Sequence, residues 1–242
     1  MEIAKQRIKD WLELNDPTQL LDLSSLNLRR LPTIPKYCQK FDCSYNQLST
    51  LPKLPDCQYL DCYRNKLINL PKLPKCVHLN CFHNKLTQLP KLPSCTDVHC
   101  DDNELTTLSA LPICVTLSCS YNKLMRLPEL LKCEILQCHF NNLVILPKLP
   151  NCEVLQCHFN NLVILPKLSK CYSLQCADNK YLYINAKIAK RFRLKQSVNY
   201  IKNIIIIQKS CKKFLRKKYL DRFTKINILC KNIDNICVQY VI

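Results

Sequence analysis

Two series of cysteines and one of asparagines run through this chain at a constant step of nineteen residues. Cys38, Cys57, Cys76, Cys95, Cys114, Cys133, Cys152 and Cys171 form the first series, and Cys43, Cys62, Cys81, Cys100, Cys119, Cys138, Cys157 and Cys176 the second. Asn46, Asn65, Asn84, Asn103, Asn122, Asn141, Asn160 and Asn179 keep the same interval. A unit this short buries no core alone and must stack on its neighbours, so the period predicts a solenoid.

Counted from its first cysteine, the unit Cys57 to Lys75 (CQYLDCYRNKLINLPKLPK) has apolar residues at positions 1, 4, 6, 11, 14 and 17, Asn at 9 and Pro at 15 and 18. Positions 3 to 7 alternate outward and inward, which predicts a short strand; coils stacked at ~4.8 Å then pair these strands into a parallel sheet. The Asn at position 9 sits where the chain leaves the sheet, and its amide has both a donor and an acceptor for turn backbone, its own and its neighbour's. Eight residues remain for the return path. They leave no room for an α-helix, and each Pro holds its predecessor extended, so the convex side is expected to be irregular or polyproline-like. Units six (Cys133 to Leu149) and seven (Cys152 to Leu168) differ only at Ile135 and Val154, as a recent copy would.

The pattern is LxxLxLxxNxL with Cys at two Leu places. It resembles leucine-rich repeats over roughly residues 18–184, and the short unit ending LPxLP is similar to the bacterial YopM/IpaH-like effector subclass. The opening LDLSSLNLRRLP (Leu21 to Pro32) is similar to a first repeat of that type, with Leu26 where later units carry Asn. A glycine-free, Cys-laddered version further resembles leucine-rich-repeat proteins of giant viruses. The resemblance implies an α/β-type repeat solenoid, a horseshoe of about nine coils with short parallel strands on its concave face, and protein binding on that face.

Composition narrows the function. The chain has 242 residues, no Gly, 36 Lys and Arg against 18 Asp and Glu, and a formal charge of +18. Without glycine, a Walker phosphate loop, a GxGxxG dinucleotide turn and a GxSxG nucleophile elbow are all excluded. With 48% hydrophobic and 22% charged residues the chain has the material for a core. MEIAKQRIKDWLELN has no apolar signal-peptide core, and no apolar run approaches the ~18 residues of a membrane span. An intracellular, soluble chain in a reducing compartment is expected, with its odd number of 19 cysteines as free thiols.

The ends break the period. Residues 1–17 are expected to form an N-terminal helical cap, with Ile3, Ile8, Trp11 and Leu12 sharing a face and Asn15-Asp16-Pro17 as the stop. Residues 18–184 are the solenoid. Residues 185–242 hold fifteen Lys and Arg against two Asp, which leaves twenty-one against sixteen for the preceding part. Apolar residues at helical spacing, among them Ile201, Ile204, Phe214 and Leu215, make this tail a basic amphipathic helix near 196–222, with a second after Thr224. Within it, residues 207–220 (IQKSCKKFLRKKYL) resemble an IQ motif, bound by calmodulin and EF-hand light chains. Ile207 and Gln208 match its opening pair, Lys212 stands for the usual Arg, Lys217 is the second basic position and Leu220 the closing apolar one. Lys213 replaces the expected Gly. A C-terminal cap is the other reading of this segment.

Outward positions 3, 5, 7 and 8 supply the candidate binding surface. They are Tyr59, Asp61, Tyr63 and Arg64 in unit two, then His78, Asn80, Phe82 and His83, then Asp97, His99, Asp101 and Asp102. Units five to seven add Thr116, Ser118, Ser120 and Tyr121, Gln137, His139 and Phe140, then Gln156, His158 and Phe159. Aromatic, His and Gln side chains on a rigid sheet suit protein recognition, because they bury area at low entropic cost. His139 and His158 occupy equivalent places, but no third metal ligand is fixed, so no metal or cofactor is expected. Cys100 and Cys176 open the Cys-x-Asp triplet of the IpaH ubiquitin ligases, yet both are inward, and the tail is too short for that family's catalytic domain. The reading is a non-catalytic protein-binding scaffold. Its alternative is tail-mediated binding of a calmodulin-like protein, of nucleic acid or of anionic membrane.

Overall fold

The structure is a computed structural model, and it describes residues 1–180, 182–184 and 186–192. Among them, helix α1 (Glu2–Glu13) precedes nine three-residue strands: β1 (Leu20–Asp22), β2 (Lys40–Asp42), β3 (Tyr59–Asp61), β4 (His78–Asn80), β5 (Asp97–His99), β6 (Thr116–Ser118), β7 (Ile135–Gln137), β8 (Val154–Gln156) and β9 (Ser173–Gln175). Helix α2 (Ala186–Arg191) follows. The strands form one parallel sheet in chain order, and equivalent positions face each other without a slip, as in Tyr59↔His78 and His78↔Asp97.

The strands are shorter than the alternation of positions 3 to 7 suggests, covering positions 3 to 5 only. Backbone bonding to the following coil nevertheless continues to position 9: Cys62 N–H donates to Asn80 C=O at 2.8 Å, Arg64 N–H to Phe82 C=O at 3.0 Å and Asn65 N–H to His83 C=O at 3.3 Å. Extended geometry ends before that last bond, because position 8 turns left-handed. Tyr45, Arg64, His83, Asp102, Tyr121, Phe140, Phe159 and Asp178 all have φ between 50° and 54°. That well is small but open to residues with a Cβ, at a cost of roughly 1–2 kcal/mol each, so the chain makes a turn in every unit without glycine.

Inward residues form one continuous core. Cys57, Leu60, Cys62, Leu67 and Leu73 of unit two are buried, and the same positions are buried in the units on either side. The sixteen periodic cysteines are free, buried thiols. Those of the first series do more than fill volume: Cys57 Sγ donates to Tyr59 C=O at 3.2 Å, and Cys76, Cys114 and Cys133 repeat the contact. A short thiol thus anchors the entry to each strand where a longer Leu has no donor to offer.

At position 9 the Asn side chains are built into the turn. Asn65 Oδ1 accepts from Leu48 N–H at 2.9 Å, and its amide donates to the carbonyls of Cys43 at 2.9 Å and Cys62 at 3.1 Å. Each Asn thereby ties its own coil to the preceding one. The return segments are irregular and close through a turn, as in Cys57 N–H to Leu54 C=O at 3.4 Å.

The N-terminal face differs from the expected one. Ile8 and Trp11 are buried, but their companion is Ala4, whereas Ile3 and Leu12 are exposed. Residues 4, 8 and 11 subtend a narrower arc than 3, 8, 11 and 12, and a methyl at position 4 permits close approach to the first coil. Trp11 stacks on Tyr37 at 5.8 Å and donates from Nε1 to Gln19 C=O at 3.0 Å. Asn15 (φ 51°) ends the helix, and the Asp16 carboxylate accepts from Thr18 N–H at 2.9 Å and Gln19 Nε2 at 2.9 Å, launching β1. At the far end, Arg191 of α2 donates to Leu168 C=O at 2.7 Å and to the Cys171 carbonyl. The 196–222 helix and the IQ-like residues Ile207, Gln208, Lys212, Lys217 and Leu220 lie outside the described residues.

Candidate protein-docking face

Because the register never slips, each outward position becomes a column crossing the strands. Position 3 runs Tyr59, His78, Asp97; position 5 runs Asp61, Asn80, His99; positions 7 and 8 carry the larger rings toward the C-terminal end.

The first half of this face carries a charged network beside a ring column of its own, Tyr45, Tyr63 and Phe82, with centroids 5.1 and 4.7 Å apart. Asp22, Asp42 and Asp61 sit side by side at position 5 of β1, β2 and β3. Burial, and then the neighbouring carboxylates of Asp61 and Asp22, raise the Asp42 carboxyl above its ordinary value against the lowering effect of hydrogen bonds from Ser44. Tyr59 donates its hydroxyl proton to Asp61 Oδ2 at 2.7 Å, which together with burial pushes the phenol up to about 12. The His78 ring stacks on Tyr59 at 4.4 Å and lies between two carboxylates, with Nδ1 2.9 Å from Asp97 Oδ2 and Nε2 4.0 Å from Asp61 Oδ1. His99 Nε2 approaches Asp97 Oδ1 at 3.0 Å. Further along, Asp101 Oδ1 accepts from Ser118 Oγ at 2.6 Å and Ser120 N–H at 2.8 Å, stitching unit four to unit five. At the rim, Arg64 lies over the Tyr45 ring at 5.2 Å, and His83 Nδ1 meets Asp102 Oδ2 at 2.5 Å.

The second half is uncharged and aromatic. Tyr121, Phe140 and Phe159 stack in one column with centroids 4.4 and 4.3 Å apart. His139 and His158 stack beside them at 4.4 Å, meeting Tyr121 and the Phe rings edge-on. Ser120 Oγ lies 2.9 Å from His139 Nδ1. Burial first, and His158 second, lower the His139 pKa, with Asp101 opposing. Gln137 accepts from Ser118 Oγ at 2.9 Å, and Gln156 continues that column. Ring faces are thus occupied by one another, and ring edges meet solvent: Tyr121 is 52% exposed, Phe140 36% and Phe159 44%.

Among the described residues, no group of three or more His, Cys, Asp or Glu side chains is arranged to hold a metal ion. Cys100 and Cys176, which open the Cys-x-Asp triplets, are buried, and burial raises both thiols, Cys176 to about 11. Sequence reasoning reached these columns by position. It missed the His78 bridge between Asp61 and Asp97 and the left-handed turn that sets the position 8 rings at the rim. The signal for that turn, an outward residue just before an invariantly spaced Asn, carries no turn-specific residue type.

Short parallel strands on one face, an Asn ladder at their ends and an irregular return define a leucine-rich-repeat solenoid, and the chain belongs to the leucine-rich-repeat family. YopM of Yersinia enterocolitica superposes with a TM-score of 0.69 at 34% identity, covering 73% of this chain and 41% of that one. A leucine-rich-repeat domain of a Shigella effector gives a TM-score of 0.55 at 30% identity, covering 68% of this chain and 74% of that domain. YopM of Yersinia pestis shares the fold at 24% identity and a TM-score of 0.58, covering 73% of this chain and 65% of that one. The chain therefore spans less than two thirds of either YopM structure. No protein-family model and no curated protein sequence matches it.

Proposed function

We propose that the chain is a non-catalytic scaffold that binds another protein on the concave face. The observation that supports this most directly is the exposed column of Tyr121, Phe140 and Phe159, flanked by stacked imidazoles, with carboxylates only at its two ends, Asp102 and Asp178. Solvent-facing rings preorganised by mutual stacking lose little freedom when covered, and charge-depleted aromatic patches are the usual centre of an interface. In this reading residues 18–184 carry the docking surface, residues 1–17 cap it and residues 185–242 form a separate basic tail. Sixteen buried free thiols fit a reducing, intracellular compartment.

Pulldown from a eukaryotic lysate with the full chain tests the proposal. Partners retained by a variant altered on the convex side (Lys72→Ala with Lys91→Ala) and lost from Phe140→Ala with Phe159→Ala support it. Equal recovery with both variants refutes it. A second reading rests on the fifteen cationic residues and the IQ-like segment of the tail. If calmodulin or RNA is recovered and the concave substitutions leave it unaffected, the tail is the operative surface.

A further inference from the structure

The concave face changes chemistry between units four and five, and that boundary specifies a partner. Before it, the outward positions carry Asp22, Asp42, Asp61, Asp97, Asp101 and Asp102 against Lys40 and Arg64. After it, positions 3, 5, 7 and 8 of units five to seven contain no Asp, Glu, Lys or Arg. A net acidic zone thus adjoins an aromatic and amide zone on a chain whose overall charge is +18.

Resting on the scaffold reading above, we infer that the occupant is an extended protein segment with an apolar anchor at one end and a Lys/Arg block at the other. The anchor sits against Tyr121, Phe140 and Phe159, and the cations reach Asp97 and Asp102 and on toward Asp61. Geometry fixes the spacing. Measured from Phe140 at the middle of the ring column, Asp97 and Asp102 lie two coils away and Asp61 four, about 10–19 Å at ~4.8 Å per coil, a distance an extended chain covers in about three to six residues. Charge supplies orientation: Asp22, Asp42 and Asp61 abut in register, and like charges side by side on neighbouring strands favour a cation over them. Beyond the aromatic side, positions 3, 5, 7 and 8 offer a single carboxylate, Asp178 of unit eight, against six before the boundary, so one polarity of the segment is favoured over the reverse.

The experiment is selection of a random-peptide phage library on the immobilised full chain, followed by fluorescence-polarisation titration of the selected peptides at low and high salt. Enriched peptides are expected to carry an aromatic or aliphatic anchor and, always on the same side, a Lys/Arg pair about three to six residues away. Phe140→Ala with Phe159→Ala weakens them about tenfold or more at both salts. Asp97→Asn with Asp102→Asn weakens them chiefly at low salt and flattens the salt dependence. Gln137→Ala with Gln156→Ala, which leaves the ring stack intact, also weakens binding and guards against a folding artefact. Peptides that lack the basic block yet depend on Phe140 and Phe159 overturn the inference while leaving the concave scaffold standing. Peptides indifferent to every substitution overturn both. No enrichment on the full chain, as when its own basic tail or a second copy occupies the face, also overturns the inference.

Discussion

The side-chain amide of Asn122 donates to the carbonyl of Cys100 at 3.0 Å, twenty-two residues earlier in the chain and one coil away. The same amide donates to Cys119 at 3.2 Å and Ser120 at 3.1 Å, while its oxygen accepts from Leu105 N–H at 2.9 Å. Asn122→Ala therefore orphans a buried backbone donor and acceptors on two coils and is expected to cost ~1–3 kcal/mol in urea denaturation. Lys123→Ala removes only an exposed contact to Glu104 at 3.1 Å and should stay within ~0.5 kcal/mol of the parent. Equal losses would mean that the amide column does not hold the coils together.

The buried thiols should be inert in the folded protein. Burial pushes Cys38 up to about 11, Cys57 to about 12 and Cys43 well above its ordinary range. Iodoacetamide at pH 8 with peptide mapping is expected to leave the sixteen periodic cysteines unlabelled until denaturant is added. Because the folded values lie above the unfolded ones, this contribution to stability is complete below about pH 8.5 and is lost as pH rises toward 11–12. The thermal midpoint should accordingly fall steeply between pH 9 and 11; a flat profile there would contradict burial of the ladder.

Position 8 offers a test of backbone strain. Arg64 has φ 52° and an exposed side chain. Arg64→Gly relieves the left-handed cost but gains chain entropy when unfolded, so it should lie within ~0.5 kcal/mol of the parent, whereas β-branched Arg64→Val should lose at least ~1 kcal/mol. A Val variant as stable as the Gly variant would show that the turn relaxes into another conformation.

His139 carries an acid-side prediction. Its pKa is lowered by burial and by His158, so it adds stability above its unfolded value near 6.5 and loses that contribution as pH falls through the lower folded value. Proton NMR should show this ring titrating below the ordinary histidine range, and His139→Gln should flatten the decline in melting temperature between pH 7 and 5. An unchanged slope would remove His139 as its source.

The coil register was legible because burial imposes one inward residue type at each position and the nineteen-residue step keeps those positions aligned; Leu60, Cys62 and Asn65 are placed by spacing alone. The Asn ladder was legible for a related reason, since an amide at a strand exit has few satisfying arrangements. The N-terminal helix was legible as an element but not in its face, because Ile3 and Leu12 advertise hydrophobicity while packing selected the smaller Ala4. The turn at position 8 escaped notice because Tyr, Arg, His, Asp and Phe occupy it in different units and none signals φ > 0. The bridge from Asp61 through His78 to Asp97 depends on side-chain torsions on three strands, which no one-dimensional pattern encodes.

Since every Asn column member joins only adjacent coils, load applied to the two termini meets a series of near-equal fasteners and no single keystone. Under tension the protein should come apart from an end inward, releasing one coil per event. Nineteen residues drawn straight add about 65 Å of contour length, so an optical-tweezer trace would show a regular staircase whose tread measures the repeat.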